Sequence, residues 1–134
     1  FAVFFRKNRD VYNFINFLKN NPSPDIRNLQ DANIKNIHKA KGEEYRVVFV
    51  AHVENNNIST SFQEKDFEVP VSLQKFKQDL DDSIAREREE RRILYVAMTR
   101  AKKQLFLTFH MENEEGNPID YSPFLEDTGI QMYD

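Results

Sequence analysis

The 134-residue sequence has no cysteine and only three glycines, and both shortages narrow its chemistry. Without Cys there is no disulfide framework and no thiolate zinc site, a composition that suits a reducing cytoplasm. With Gly only at 42, 116 and 129, a phosphate-cradling loop of the G-x-x-x-x-G-K-[ST] type cannot be built. No run approaches the ~18 apolar residues of a membrane span, and no signal-peptide pattern opens the chain. His38, His52 and His110 are spread without metal-ligand spacing, so no metal site is expected. No Ser-His-Asp or Cys-His set suggests itself. Net charge is −3, which confines any nucleic-acid contact to local basic groups rather than a general basic field. Those groups are Arg6, Lys7 and Arg9 early and Arg100, Lys102 and Lys103 late, while acidic residues gather after Glu112.

What is present is a set of short apolar runs: FAVFF (1–5), VVFVA (47–51) and LFLTF (105–109), with NIKNI (33–37) as a shorter fourth. The first three are nearly continuous rather than alternating, the pattern of strands covered on both faces. Val11, Phe14, Ile15 and Leu18 recur at helical spacing, with Asp10 at the front and Pro22 and Pro24 beyond the end. A second helix is expected over roughly 85–98 and a third over 72–83. Strands alternating with helices predict an α/β fold with a mostly parallel sheet and helices on both faces. Residues 54–71 carry no sustained period and read as an irregular surface insertion. From 111 to 134 the chain reads as a C-terminal tail, with turn signals at Gly116-Asn117-Pro118 and a last helical turn at SPFLEDTG (122–129) docking Phe124 and Leu125. The chain opens on Phe1 within an expected core strand, so it reads as a single domain, 1–134, cut from a larger protein.

Two stretches carry candidate chemistry. In EREERRILYVAMTRAKKQLFLTF (87–109) the ~100° step per residue sets Arg100 between the core-facing positions Ile93 and Val96. Arg100 is either a helix-end cation favoured by the macrodipole or a guanidinium held at the sheet edge for an external anion. In IHKAKGEEYRVVFVAHV (37–53) a strand runs through a polar turn at Gly42 into another strand. There His38, Lys39 and Lys41 suit phosphate and Glu43 or Glu44 a sugar hydroxyl, unless the turn is merely a solvated charged loop.

Together these stretches resemble superfamily 1 DNA helicases of the UvrD/Rep/PcrA type. IHKAKGEEY is similar to their T-x-H-x-x-K-G-L-E-[FW] segment, and EERRILYVAMTRAKKQL to their E-E-R-R-L-x-Y-V-A-x-T-R-A segment at nearly every position. FAVFFRKNRDVYNFINFL resembles A-[IV]-L-x-R-x-N, and SPFLED resembles S-x-F-L-x-E, all in family order and covering most of the chain except 54–84.

The resemblance implies the second of two RecA-like motor domains (2A), lacking a P-loop of its own. In the full-length protein ATP and Mg²⁺ would be bound mainly by the first RecA-like domain, with Arg100 reaching the γ-phosphate as an arginine finger. Such fingers contribute roughly 10³–10⁵ in rate, or about 4–7 kcal/mol. Glu44 matches the glutamate that reaches the ribose, and Gly42 permits the close turn. Arg6, Asn8 and His38 fall on positions that face single-stranded DNA, and Glu89, Glu90, Arg91 and Arg92 match a charged set that pairs internally. The implied function is ATP-dependent helicase or translocase activity of the parent, with an isolated fragment that is inactive and has no membrane partner. A non-motor interaction module, such as a polymerase-remodelling relative, is the alternative. Three departures stand out: Asn36 replaces the usual Thr, Glu43 replaces an apolar residue, and a short link over 20–33 stands where a 2B subdomain is usually inserted.

Overall fold

The computed structural model describes residues 1–21, 32–55, 57–58 and 79–129, without the side chains of 79–83. The expected link at 20–33, insertion at 54–71 and helix at 72–83 lie largely outside these residues. Four strands form one sheet: β1 (Ala2–Phe5), β2 (Asn33–Asn36), β3 (Tyr45–Val50) and β4 (Ala101–Leu107). Their order is β2-β1-β3-β4 and every pairing is parallel. This is the α/β architecture that the apolar runs predict.

The sheet is covered because its strands present apolar side chains on both faces. Successive residues of a strand point to opposite sides, so Ala2 and Phe4 share one face while Val3 and Phe5 share the other. All four are buried. The first face packs on helix α2 (Asp79–Met98), where Ile93, Leu94 and Ala97 join Phe4, Val48 and Val50 in the main core. Phe124 and Leu125 close that core from a 3₁₀ turn (Pro123–Thr128), in which Ser122 accepts a hydrogen bond from the Phe124 N–H as its cap. The opposite face receives helix α1 (Asn8–Asn20), whose Phe14 ring meets Phe5 at 5.4 Å between centroids. Phe49 and Phe106 stack at 4.7 Å on adjacent strands, and Phe106 keeps 44% of its surface exposed. Among the described residues β4 is an edge strand, a position that tolerates Lys102 and Lys103.

Several boundaries differ from the sequence expectation: β3 runs over Tyr45–Val50 rather than 47–51 and β4 ends at Leu107 rather than 109, and two starts move further. Strand β4 starts at Ala101 rather than 105, because Ala101 pairs with Tyr45 through an irregular register and Gln104 with Val47. Helix α2 starts at Asp79, ahead of the expected 85. No helix among the described residues is long and apolar enough to cross a membrane.

Candidate nucleotide and nucleic-acid site

Arg100 sits in the turn between α2 and β4, where Thr99 N–H donates to Tyr95 O and Arg100 N–H to Ala97 O, ending the helix. Its carbonyl then accepts from Tyr45 N–H at 2.8 Å, which starts the β3–β4 ladder. The side chain is half-buried and all its acceptors are neutral. Nε donates to Val96 O at 3.1 Å, Nη1 to Glu43 O at 3.3 Å, and Nη2 to Thr99 Oγ1 at 3.2 Å. Among the described residues no carboxylate pairs with Arg100, so its charge is not neutralised by a direct partner.

The turn opposite comes from Ile37–Ala40, a 3₁₀ segment, followed by Lys41 and Gly42. Gly42 adopts φ +83°, a left-handed conformation that glycine takes without the steric penalty of a Cβ. Glu43 and Glu44 follow it, and each carboxylate holds a lysine. Glu43 pairs with Lys35 at 2.6 Å and also accepts from the Tyr45 hydroxyl. Glu44 pairs with Lys102 at 2.8 Å, with both side chains more than half exposed. Hydrogen bonding and attraction to Lys102, with a smaller contribution from Arg100, hold the Glu44 carboxyl below the usual range. Arg100 and the Gly42–Glu44 turn therefore share one end of the domain.

Arg6, Asn8 and His38 gather where β1 and β2 end. Arg6 Nη2 and Nε donate to Glu90 Oε1 and Oε2 at 2.6 and 2.9 Å, and Nη1 donates to His38 Nε2 at 3.1 Å. The Glu90 hydrogen bond and charge hold the Arg6 guanidinium more firmly protonated than usual, against a smaller opposing effect of burial. Asn36 is buried and pins the group: its amide donates to Arg6 O at 2.9 Å and its Oδ1 accepts from His38 N–H at 2.9 Å. The substitution of Asn for the usual Thr thus supplies a donor and an acceptor to two segments at once. His38 and Asn8 are exposed, Asn8 as the first residue of α1.

The charged set on α2 pairs internally, as the resemblance implies. Besides Glu90 with Arg6, Arg91 bridges Glu87 and Asp127, and Arg92 approaches Glu89 at 3.9 Å. Arg91 also lies over the Phe124 ring, tying α2 to the terminal 3₁₀ turn.

A second constellation is invisible in the sequence spacing. His52, Glu54 and His110 each bring one ligand-capable atom within 4.8 Å of the other two. The signal is non-local: Val53 N–H donates to Thr108 O at 2.9 Å, extending the β3–β4 ladder until Glu54 meets His110.

Comparison with known proteins gives the family of the chain. The family model for the UvrD-like helicase C-terminal domain matches residues 4–112. A Mycoplasma pneumoniae protein named "Probable DNA helicase II homolog" is 32% identical over 123 residues, covering 89% of this chain and 15% of its own length. A Mycoplasma capricolum protein of the same name is 30% identical over 116 residues, 82% of this chain and 13% of its own. The chain thus spans only about a seventh of the length of these relatives. The family-model match over most of the chain, together with the all-parallel sheet, shows that the chain belongs to the UvrD-like helicase C-terminal domain family.

Proposed function

We propose that this domain is the second, RecA-like motor domain (2A) of an ATP-dependent DNA helicase or translocase, working in the cytoplasm with the first motor domain of the same protein. The observation that carries this reading is the bonding of Arg100. A half-buried guanidinium that holds only neutral acceptors can exchange them for phosphate oxygens without breaking an ion pair. Its permanent charge and planar fork suit that role. Glu44, two residues after Gly42, offers an acceptor for a ribose hydroxyl at the same end of the domain. Both neighbouring carboxylates already hold lysines, so Mg²⁺ falls to the first motor domain, as does the phosphate cradle. When bound there, ATP supplies the phosphoryl group whose developing charge Arg100 stabilises. Asn8 and His38, exposed at the strand ends, provide the single-stranded DNA contacts, with Arg6 holding His38 in place.

The test is steady-state ATPase of the full-length parent carrying Arg100→Lys or Arg100→Ala. Both should lower kcat by about 10³-fold or more, because an ammonium does not reproduce the guanidinium fork. Activity within about threefold of wild type in Arg100→Lys would reduce Arg100 to a helix-end cation.

A further inference from the structure

We infer that His52, Glu54 and His110 form a binding site for a divalent transition metal, best matched by Zn²⁺. The site lies at the far end of β3, away from the Arg100 turn, and joins it to the segment that follows β4. Glu54 is its centre. Its side chain is 8% exposed, and Oε1 accepts from His110 N–H at 3.0 Å and from His110 Nδ1–H at 2.6 Å, while His52 Nδ1 stands 3.5 Å away. The two imidazole rings lie 4.7 Å apart between centroids, tilted by 52°.

Two imidazoles and one carboxylate are the donor set of open zinc sites, with the fourth position left to water or a ligand. The cysteine-free chain removes the thiolates that would favour Cu(I) or iron–sulfur clusters. Tetrahedral bonds of 2.0–2.2 Å require donor atoms about 3.3–3.6 Å apart. The His52–Glu54 separation already meets that requirement, and the His110–Glu54 pair needs to open by under about 1 Å when Nδ1 yields its proton to the metal.

An independent observation marks His52. It is the one non-glycine residue with positive φ among the described residues, at +61°. A side chain in that conformation is costly, and such strain collects at ligand sites. The bend is held from outside, by Asn57 Nδ2 donating to His52 O at 2.8 Å, and the Oδ1 of the same amide is buried without a partner. Glycine would relieve the bend but carries no ligand. His52 and His110 also line a cavity of about 400 Å³ whose other walls include Val3, Phe5, Phe14 and Phe49. Two of the three ligand residues thus sit on the wall of a half-open, largely apolar cleft.

The test uses the untagged chain, stripped of metal by chelator and titrated with Zn²⁺ against a chromophoric competitor. One Zn²⁺ per chain with micromolar or tighter affinity is expected, and Co²⁺ in its place should give the strong visible bands of a four-coordinate site. His110→Ala and His52→Gly should each weaken binding at least tenfold. His52→Gly also removes the backbone strain, so the metal-free variant should melt no lower than wild type, which separates ligand loss from misfolding. No saturable 1:1 binding, or binding that survives both substitutions, overturns the assignment. So does a His52→Gly variant that keeps Zn²⁺ affinity but melts lower, because His52 would then be a structural residue.

Discussion

Arg6 and Glu90 stand 84 positions apart in sequence and meet through two charge-assisted hydrogen bonds of 2.6 and 2.9 Å. Their side chains are 24% and 8% exposed, so this pair is largely shielded from water. It joins the end of β1, and through Arg6 the exposed His38, to the middle of α2. Among the described residues, removing Glu90 leaves a shielded guanidinium with His38 as its one hydrogen-bonded side-chain partner. Glu90→Ala should therefore destabilise the chain by about 2–4 kcal/mol, lowering Tm by roughly 10 °C. Calorimetry checks this, and a double-mutant cycle with Arg6→Ala should be strongly non-additive. Additive losses would mean that the two residues act separately.

Arg100 should behave differently. Its three bonds to neutral oxygens are partly exposed, and truncation leaves acceptors that water can reach. Arg100→Ala should cost about 1 kcal/mol of stability, a Tm shift of a few degrees. That small loss, set against the large loss of parent ATPase, distinguishes a group held in readiness from one that holds the fold. A chain unfolded by Arg100→Ala would identify a structural arginine.

The Glu44 carboxyl is held below its ordinary range first by the Lys102 hydrogen bond and then by the Lys102 charge. A depressed carboxylate contributes stability above its unfolded pKa and loses it as pH falls through the folded pKa. The contribution is thus complete above about pH 4.5, the ordinary glutamate value, and disappears on acidification. Lys102→Met should raise the Glu44 titration midpoint, measured by NMR of its side-chain carboxyl. An unmoved midpoint would show that the pair does not persist in solution, where exposed ion pairs are weak.

Single-stranded DNA should bind this acidic domain feebly and with strong dependence on salt, since few phosphates can be neutralised. In the parent, Asn8→Ala and His38→Ala should lower DNA-stimulated ATPase several-fold while leaving basal turnover nearly unchanged. Equal loss of both rates would place these residues in the fold rather than at the nucleic acid.

The elements legible in the sequence were those with a local signal. FAVFF reads as a strand covered on both faces, and all of Ala2–Phe5 are buried. The period through Val11, Phe14, Ile15 and Leu18 marks α1 because one helix face decides it. Strand β4 hid its first residues because an edge tolerates Lys102 and Lys103, so composition there resembles a loop. The Arg100 turn was legible because its motif is contiguous. The Arg6–Glu90 pair and the His52–Glu54–His110 cluster were not, since each depends on where distant segments fall after the sheet has formed. His110 reaches Glu54 across 56 positions, a register that no spacing rule reports.

The backbone bond from Tyr45 N–H to Arg100 O joins the arginine turn to the residue after Glu44, and so couples it to the glycine turn even when the Arg100 side chain gives up Glu43 O. Under the proposed function, the residue that meets the last phosphate and the residue that meets the sugar are mounted on one rigid bracket. The domain then works as a caliper. On that reading a nucleotide one phosphate shorter would span the sugar jaw but not the arginine jaw, and Arg100 would return to Val96 O, Glu43 O and Thr99 Oγ1. Loss of the terminal phosphate is thereby converted into loss of one jaw's grip, a length measurement that needs no change of shape inside the domain itself.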